Sequence, residues 1–201
     1  MMELVTRMAK AYDRTLTTAA PTLERGSLLL LSGMPASGKT MLANEIVRLF
    51  PAILVSTDAA RRHLGHLPTY SEEEMVGVYK ACYRVITRRL GKRQRVVFDA
   101  SNHRRVLRQA VYQLAEQSGA TIAVCEVSVS PKTARARLAS RHSEHRRPDD
   151  FSDASWSVYR WMEERHEPIQ RPKLEVDSEK LGLEEAASQV IAYWRQLESA
   201  Q

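Results

Sequence analysis

The strongest chemical signal in this chain is one run of eight residues. Gly33-Met34-Pro35-Ala36-Ser37-Gly38-Lys39-Thr40 matches every fixed position of the pattern G-x-x-x-x-G-K-[ST]. The two glycines permit backbone angles that turn successive amide N–H groups toward one anionic oxygen. A helix opening near Lys39 aims the positive end of its dipole at the same place. The lysine ammonium reaches β- and γ-phosphates, and the threonine hydroxyl is a ligand for Mg2+. The spacing therefore predicts a site for ATP with Mg2+ over residues 33–40.

Two carboxylates are candidates for the chemistry. Asp58 follows the β-type run Ile53–Thr57, and Asp99 follows Val96–Phe98. In a parallel sheet the C-terminal strand ends line the ligand crevice, so both are expected to face the phosphate loop. One can hold the metal or its waters beside Thr40, and the other can accept the proton of an attacking hydroxyl. Either could instead be the N-cap of the helix that follows it, although Asn102 offers another cap for the helix starting at Arg104. Arg61 lies three residues beyond Asp58 on one helix face. It is placed to hold a phosphate of an acceptor whose hydroxyl meets Asp58, or else it is a surface arginine beside Arg62.

Arg137 and Arg141 are four apart on the helix after Pro131, hence on one face. An arginine aimed at the equatorial oxygens of a transferring phosphoryl group stabilises the transition state. Arg146 and Arg147 fall in the polar segment 143–152, which suits a lid over the site. His63, His66, His142 and His145 show no metal-ligand spacing and read as surface residues.

The elements that must position these groups follow from periodicity. Residues 1–20 carry Leu4, Met8, Tyr12 and Leu16 at helical spacing, so 1–25 reads as a helix and linker. Leu28–Gly33 is a continuous apolar run, the mark of a strand buried on both faces. Strands are also expected at Ile53–Thr57, Arg95–Ala100, Thr121–Val129 and Leu174–Asp177. Helices are expected at Met41–Phe50, from a Ser71/Glu74 capping box to Leu90, at Arg104–Ser118, Lys132–His142, from near Asp153, and at Leu183–Glu198. Five strands alternating with helices predict an α/β domain of 201 residues with a parallel sheet covered on both faces.

Composition narrows the class. Apolar residues make up 43% and charged residues 27%, and no run approaches the roughly 20 apolar residues of a membrane helix. No apolar segment of signal-peptide length opens the chain. Cys82 and Cys125 are too few for a disulfide framework or a cysteine metal site, so the expected compartment is the cytoplasm. There are 23 Arg against 7 Lys, and arginine is the better fork for phosphate. Residues 149–201 hold 6 basic and 12 acidic side chains, leaving the excess of positive charge in residues 1–148. Arg84–Arg108 alone contains nine basic residues against the single acid Asp99.

Together the strings GMPASGKT, VSTDAARRHL, VVFDASNHRR, ARARLASR and SDASWSVYRWMEERHEPI resemble the P-loop kinases grouped with polynucleotide 5′-kinases and zeta-type toxins. The resemblance covers about Leu28 to Asp177. It implies a kinase core of the adenylate-kinase type, with five parallel strands and an arginine-rich lid. It implies that Asp58 is the general base, that Arg61 grips the acceptor-side phosphate, and that Asp99 and Asn102 lie near metal and substrate. Arg141 or Arg137 matches the transition-state arginine of the lid helix. The expected activity is transfer of the ATP γ-phosphate to a hydroxyl, with a polynucleotide 5′-OH first. A metabolite, sugar or antibiotic hydroxyl comes second, and a P-loop ATPase without kinase activity third. Oligomeric state is left open.

Overall fold

The computed structural model of the chain describes residues 2–16, 22–64, 69, 71–141 and 155–200. The expected segment 143–152, with Arg146 and Arg147, lies outside the described residues, as do His66, His142 and His145.

Five strands, β1 (Ser27–Ser32), β2 (Ile53–Ser56), β3 (Arg95–Asp99), β4 (Thr121–Ser128) and β5 (Leu174–Asp177), form one parallel sheet. Their order is β2-β3-β1-β4-β5. β1 is central; the chain fills its β3 side first, with β3 returning between β2 and β1, and then builds outward on its β4 side. That reversal leaves a crevice beyond the C-terminal ends of the strands at β1, where the phosphate loop begins.

Side chains alternate across a strand, and β1 shows why its sequence is unbroken leucine. Leu28 and Leu30 join Val96, Phe98 and Val55 beneath α1 (Met2–Thr15), α4 (Glu72–Gly91) and α5 (Arg105–Gln117). Leu29 and Leu31 join Val97, Ala123 and Cys125 on the other face, against α2 (Lys39–Leu49) and α8 (Leu183–Ser199). Neither face meets water, so no polar alternation is required. The Trp194 indole of α8 donates to Ser27 Oγ at 2.7 Å, which satisfies its one polar atom in the core.

Three sequence expectations are revised in detail. The buried stripe of α1 is Val5, Met8, Ala9 and Tyr12, while Leu4 is exposed. A strict every-fourth row drifts off the face of a helix with 3.6 residues per turn. Asp13 of α1 receives the Arg89 guanidinium at 2.6 Å, so this helix is tied into the core layer. The capping box of α4 is one-sided: Ser71 Oγ accepts the Glu74 N–H at 3.2 Å, but the Glu74 carboxylate turns to Thr69 and Arg61. Asn102 does not cap α5, whose first-turn amide at Arg105 donates instead to the Glu167 carboxylate at 2.6 Å.

Two shorter helices complete the crevice side, α3 (Thr57–Arg61) and α7 (Trp156–Glu163). Between them in sequence, α6 (Pro131–Arg141) is capped as expected by Ser130, whose Oγ accepts the Thr133 N–H. Ala134 and Leu138 of α6 and Tyr159 of α7 pack with Ala36 of the loop. No helix among the described residues is long and apolar enough to cross a membrane.

Candidate active site

The phosphate loop joins β1 to α2 and depends on both glycines for different reasons. A Cβ on Gly33 would lie 2.2 Å from the Val127 carbonyl oxygen, so only glycine lets the loop pass β4. Gly38 has φ +96°, a left-handed conformation that opens α2 directly and that L side chains avoid. Lys39 Nζ folds back over the loop and donates to the Met34 carbonyl at 2.8 Å and Ser37 Oγ at 3.3 Å.

The order of the strands puts β3 beside β1, and this brings Asp99 to the first turn of α2. Thr40 Oγ1 donates to Asp99 Oδ2 at 2.8 Å. Asp99 is 4% exposed. Burial pushes its carboxyl above the usual range, and the Asp58 carboxylate adds to this, while Lys39 and the Thr40 bond pull it back. A hydroxyl and a carboxylate in contact are hard oxygen donors of the kind Mg2+ takes, with waters and phosphates for its other positions. The pair fits that ion. Among the described residues no cluster of three or more His, Cys, Asp and Glu forms another metal site.

Asp58 sits in the first turn of α3 and is not its cap, which is Ser56. Its Oδ1 accepts from Arg61 Nη1 at 2.7 Å, and Arg61 Nε donates to Glu74 Oε1 at 3.1 Å. Glu74 also accepts from the backbone N–H and hydroxyl of Thr69. Arg61 is therefore no surface arginine, being 8% exposed. Nor does it stand as an uncompensated phosphate grip, because it is shared between two carboxylates.

Asn102 departs from its expected place at the substrate. It is fully buried, and its Nδ2 donates to the Leu31 carbonyl at 2.7 Å, tying the end of β3 to the end of β1. Arg137 meets the loop from α6. Its Nη1 donates to the Ala36 carbonyl at 3.1 Å and to Ser178 Oγ at 3.0 Å, and its Nη2 donates to the Ser178 carbonyl at 3.3 Å. Arg141 ends α6 one turn later, and its side chain lies outside the described residues.

A cavity of about 590 Å3 opens directly off the loop. Lys39, Thr40, Asp58 and Asp99 line its polar side, Met75, Val76 and Tyr79 of α4 and Leu107 of α5 line its walls, and Val158, Trp161 and Met162 of α7 close over it. Sequence reasoning missed three parts of this site: Glu74, the α7 residues, and His103. The last stands beside Asn102 in the VVFDASNHRR string, so the signal was present. Its ring is 1% exposed, and burial together with Arg104, His166, Arg108 and Arg165 pushes its pKa down to about 4.

The basic run 84–108 turns out to be mostly structural. Arg84 meets Thr6, Arg88 and Arg89 meet Asp13, Arg95 meets Glu198, and Arg108 donates to the carbonyls of Asn102, Glu167 and Pro168. Lys92 and Arg93 sit just before the N-terminal end of β3, at the opposite edge of the sheet from the loop. Of these nine, only Arg104 lines the cavity. His63 is half-buried with its ring 5.5 Å from that of Tyr12, so it too is not a plain surface residue.

A strand–loop–helix with this lysine and threonine, on a sheet of this order, can be compared with known proteins. The model of a protein family described as AAA domain matches residues 28–169. The chain belongs to this family. Among solved structures, this AAA-domain chain is similar to Kti12 of Chaetomium thermophilum in complex with ADP-AlF3, with a TM-score of 0.65 and 19% identity over 86% of this chain and 98% of that one. The Mycobacterium tuberculosis APS kinase CysC, in complex with AMPPNP and APS, matches with a TM-score of 0.66 and 16% identity over 87% and 99% of the two chains. A gluconokinase from Sinorhizobium meliloti 1021 matches with a TM-score of 0.60 and 20% identity over 88% and 95%. The AAA-domain chain thus has the P-loop kinase fold. No curated protein matches its sequence.

Proposed function

We propose that this AAA-domain protein is an ATP-dependent kinase whose acceptor is the hydroxyl of a small molecule held in the cavity beside the phosphate loop. The observation that carries this reading is the lining of that cavity. Lys39, Thr40, Asp58 and Asp99 share it with apolar walls and a cover from α7, whereas eight of the nine basic residues of 84–108 do not reach it. Solved relatives named as a gluconokinase and an APS kinase agree with a small acceptor.

The residues divide the work as follows. The amides of residues 33–38 and the Lys39 ammonium hold the β- and γ-phosphates of ATP, and Arg137 braces the loop through Ala36. Thr40 and Asp99 would hold Mg2+, which when bound neutralises charge developing on the transferred phosphoryl group. Asp58 accepts the proton of the acceptor hydroxyl as that oxygen bonds to the γ-phosphorus and the bond to the ADP oxygen breaks. Arg61, anchored by Glu74, orients the Asp58 carboxylate rather than gripping an acceptor phosphate. Apolar walls and the α7 cover exclude water that would otherwise take the phosphoryl group.

The test is transfer of labelled γ-phosphate from ATP to two sets of acceptors, at two salt concentrations. One set is sugars, polyols, hydroxy acids and nucleosides, and the other is 5′-OH oligonucleotides of increasing length. Labelling of a small acceptor, with a mild salt effect, is the expected result. Labelling confined to oligonucleotides, with a KM rising steeply with salt, overturns the small-acceptor reading in favour of a polynucleotide 5′-kinase. ADP release with no labelled acceptor in either set overturns the kinase reading.

A further inference from the structure

The stretch Ser101–Arg104, directly after Asp99, presents polar groups to the cavity that the phosphoryl-transfer machinery does not use. Ser101 Oγ lies 3.1 Å from His103 Nδ1 and 3.4 Å from the Tyr79 hydroxyl, and that hydroxyl accepts the Asn102 backbone N–H at 3.5 Å. Tyr79 Oη, which accepts from Asn102, can donate to Ser101 Oγ, and Ser101 can in turn donate to Nδ1. In that direction the relay leaves the imidazole proton on Nε2. Nε2 is buried and has no hydrogen-bond partner. A buried N–H without a partner is rare in folded proteins and calls for one. Its chain neighbour Arg104 is half-buried and also lines the cavity, with no carboxylate partner among the described residues. Trp161 of α7 packs edge-on against the His103 ring at 5.9 Å and is itself 38% exposed, so a partly exposed side chain covers part of that ring.

We propose that His103 Nε2–H and Arg104 form a carboxylate subsite, so that the acceptor is a small hydroxy acid. The proposal rests on the kinase reading for the hydroxyl and not for the acid group. A neutral N–H and one guanidinium supply a single positive charge and donors for two oxygens, which matches a carboxylate. A phosphate dianion carries a third oxygen and twice the charge, into a cavity already lined by Asp58 and Asp99. Trp161 moves aside as the acid enters, and the hydroxyl is left toward Asp58.

Probe pairs that differ only in the acid group test this: glycerate against glycerol, and gluconate against sorbitol, with glycerol phosphate as the competing anion. Wild-type kcat/KM should favour each acid by about 10-fold or more over its alcohol. Arg104→Gln and His103→Phe should erase that preference through the KM for the acid, and His103→Gln, which keeps an N–H donor, should retain part of it. AMPPNP affinity by calorimetry reports whether each variant is folded. Independently of turnover, the His103 ring resonances and tryptophan fluorescence should respond to the acids and not to the alcohols. A response without turnover keeps the subsite and rejects the kinase reading. Equal turnover of acids and alcohols, no response to the acids, or tighter binding of glycerol phosphate than of glycerate overturns the carboxylate subsite.

Discussion

Lowering the pH should expose the buried His103 as a weak point of the fold. Burial and the nearby Arg104, His166, Arg108 and Arg165 push its pKa to about 4, against 6.5 ordinarily. Between these two values the unfolded chain binds a proton that the native protein does not. Stability therefore rises with pH across this window, is fully present above about pH 6.5, and is lost as the pH falls toward 4. Taking the ratio of protonation factors of the two states, the loss at pH 5 is about 2 kcal/mol relative to neutral pH. Asp99 acts in the opposite sense, because its raised carboxyl makes the native state the stronger proton binder. Its effect is common to wild type and to a His103→Gln variant and cancels in their difference. The assay is urea unfolding of both proteins at pH 7, 6 and 5, with stability from the midpoint and slope. The wild type should lose about 2 kcal/mol more than the variant between pH 7 and pH 5. Parallel pH profiles for the two proteins would refute the reasoning, since His103 would then titrate alike in the native and unfolded states.

Three further outcomes are expected. Lys39→Ala should remove most of the AMPPNP affinity seen by calorimetry and nearly all turnover, and undiminished binding would reject the loop as the nucleotide site. Asp58→Asn should keep nucleotide affinity and lower kcat by about 100-fold or more, whereas wild-type turnover would leave Asp58 without a role in proton transfer. Arg137→Ala deletes the bonds to Ala36 and Ser178, and should cost about 1–3 kcal/mol of stability in denaturant as well as weaken AMPPNP binding. An unchanged midpoint with a purely catalytic defect would instead favour Arg137 as the transition-state arginine.

What the sequence determined by itself is what is local in the chain. The loop Gly33–Thr40 was legible because its strand, its turn and its helix start are contiguous, and backbone geometry at Gly33 and Gly38 leaves few other residues possible. The unbroken leucines of β1 announced burial on both faces, and the Ser130 and Ser71 caps marked where α6 and α4 begin. The α/β alternation and five parallel strands follow from the same short-range patterns. Only the tertiary structure decided which distant groups meet. Thr40 and Asp99 are bonded because β3 lies beside β1 in the sheet order, and nothing in 59 residues of separation encodes that adjacency locally. Glu74 read as half of a capping box, yet the approach of α3 to α4 turned its carboxylate to Arg61 and changed what that arginine is able to do. The arginines of 84–108 looked like a phosphate surface by count, and folding spent most of them on Asp13, Glu198 and backbone carbonyls. Charge along a sequence sums without regard to direction, whereas binding depends on where each side chain points once the helices have packed.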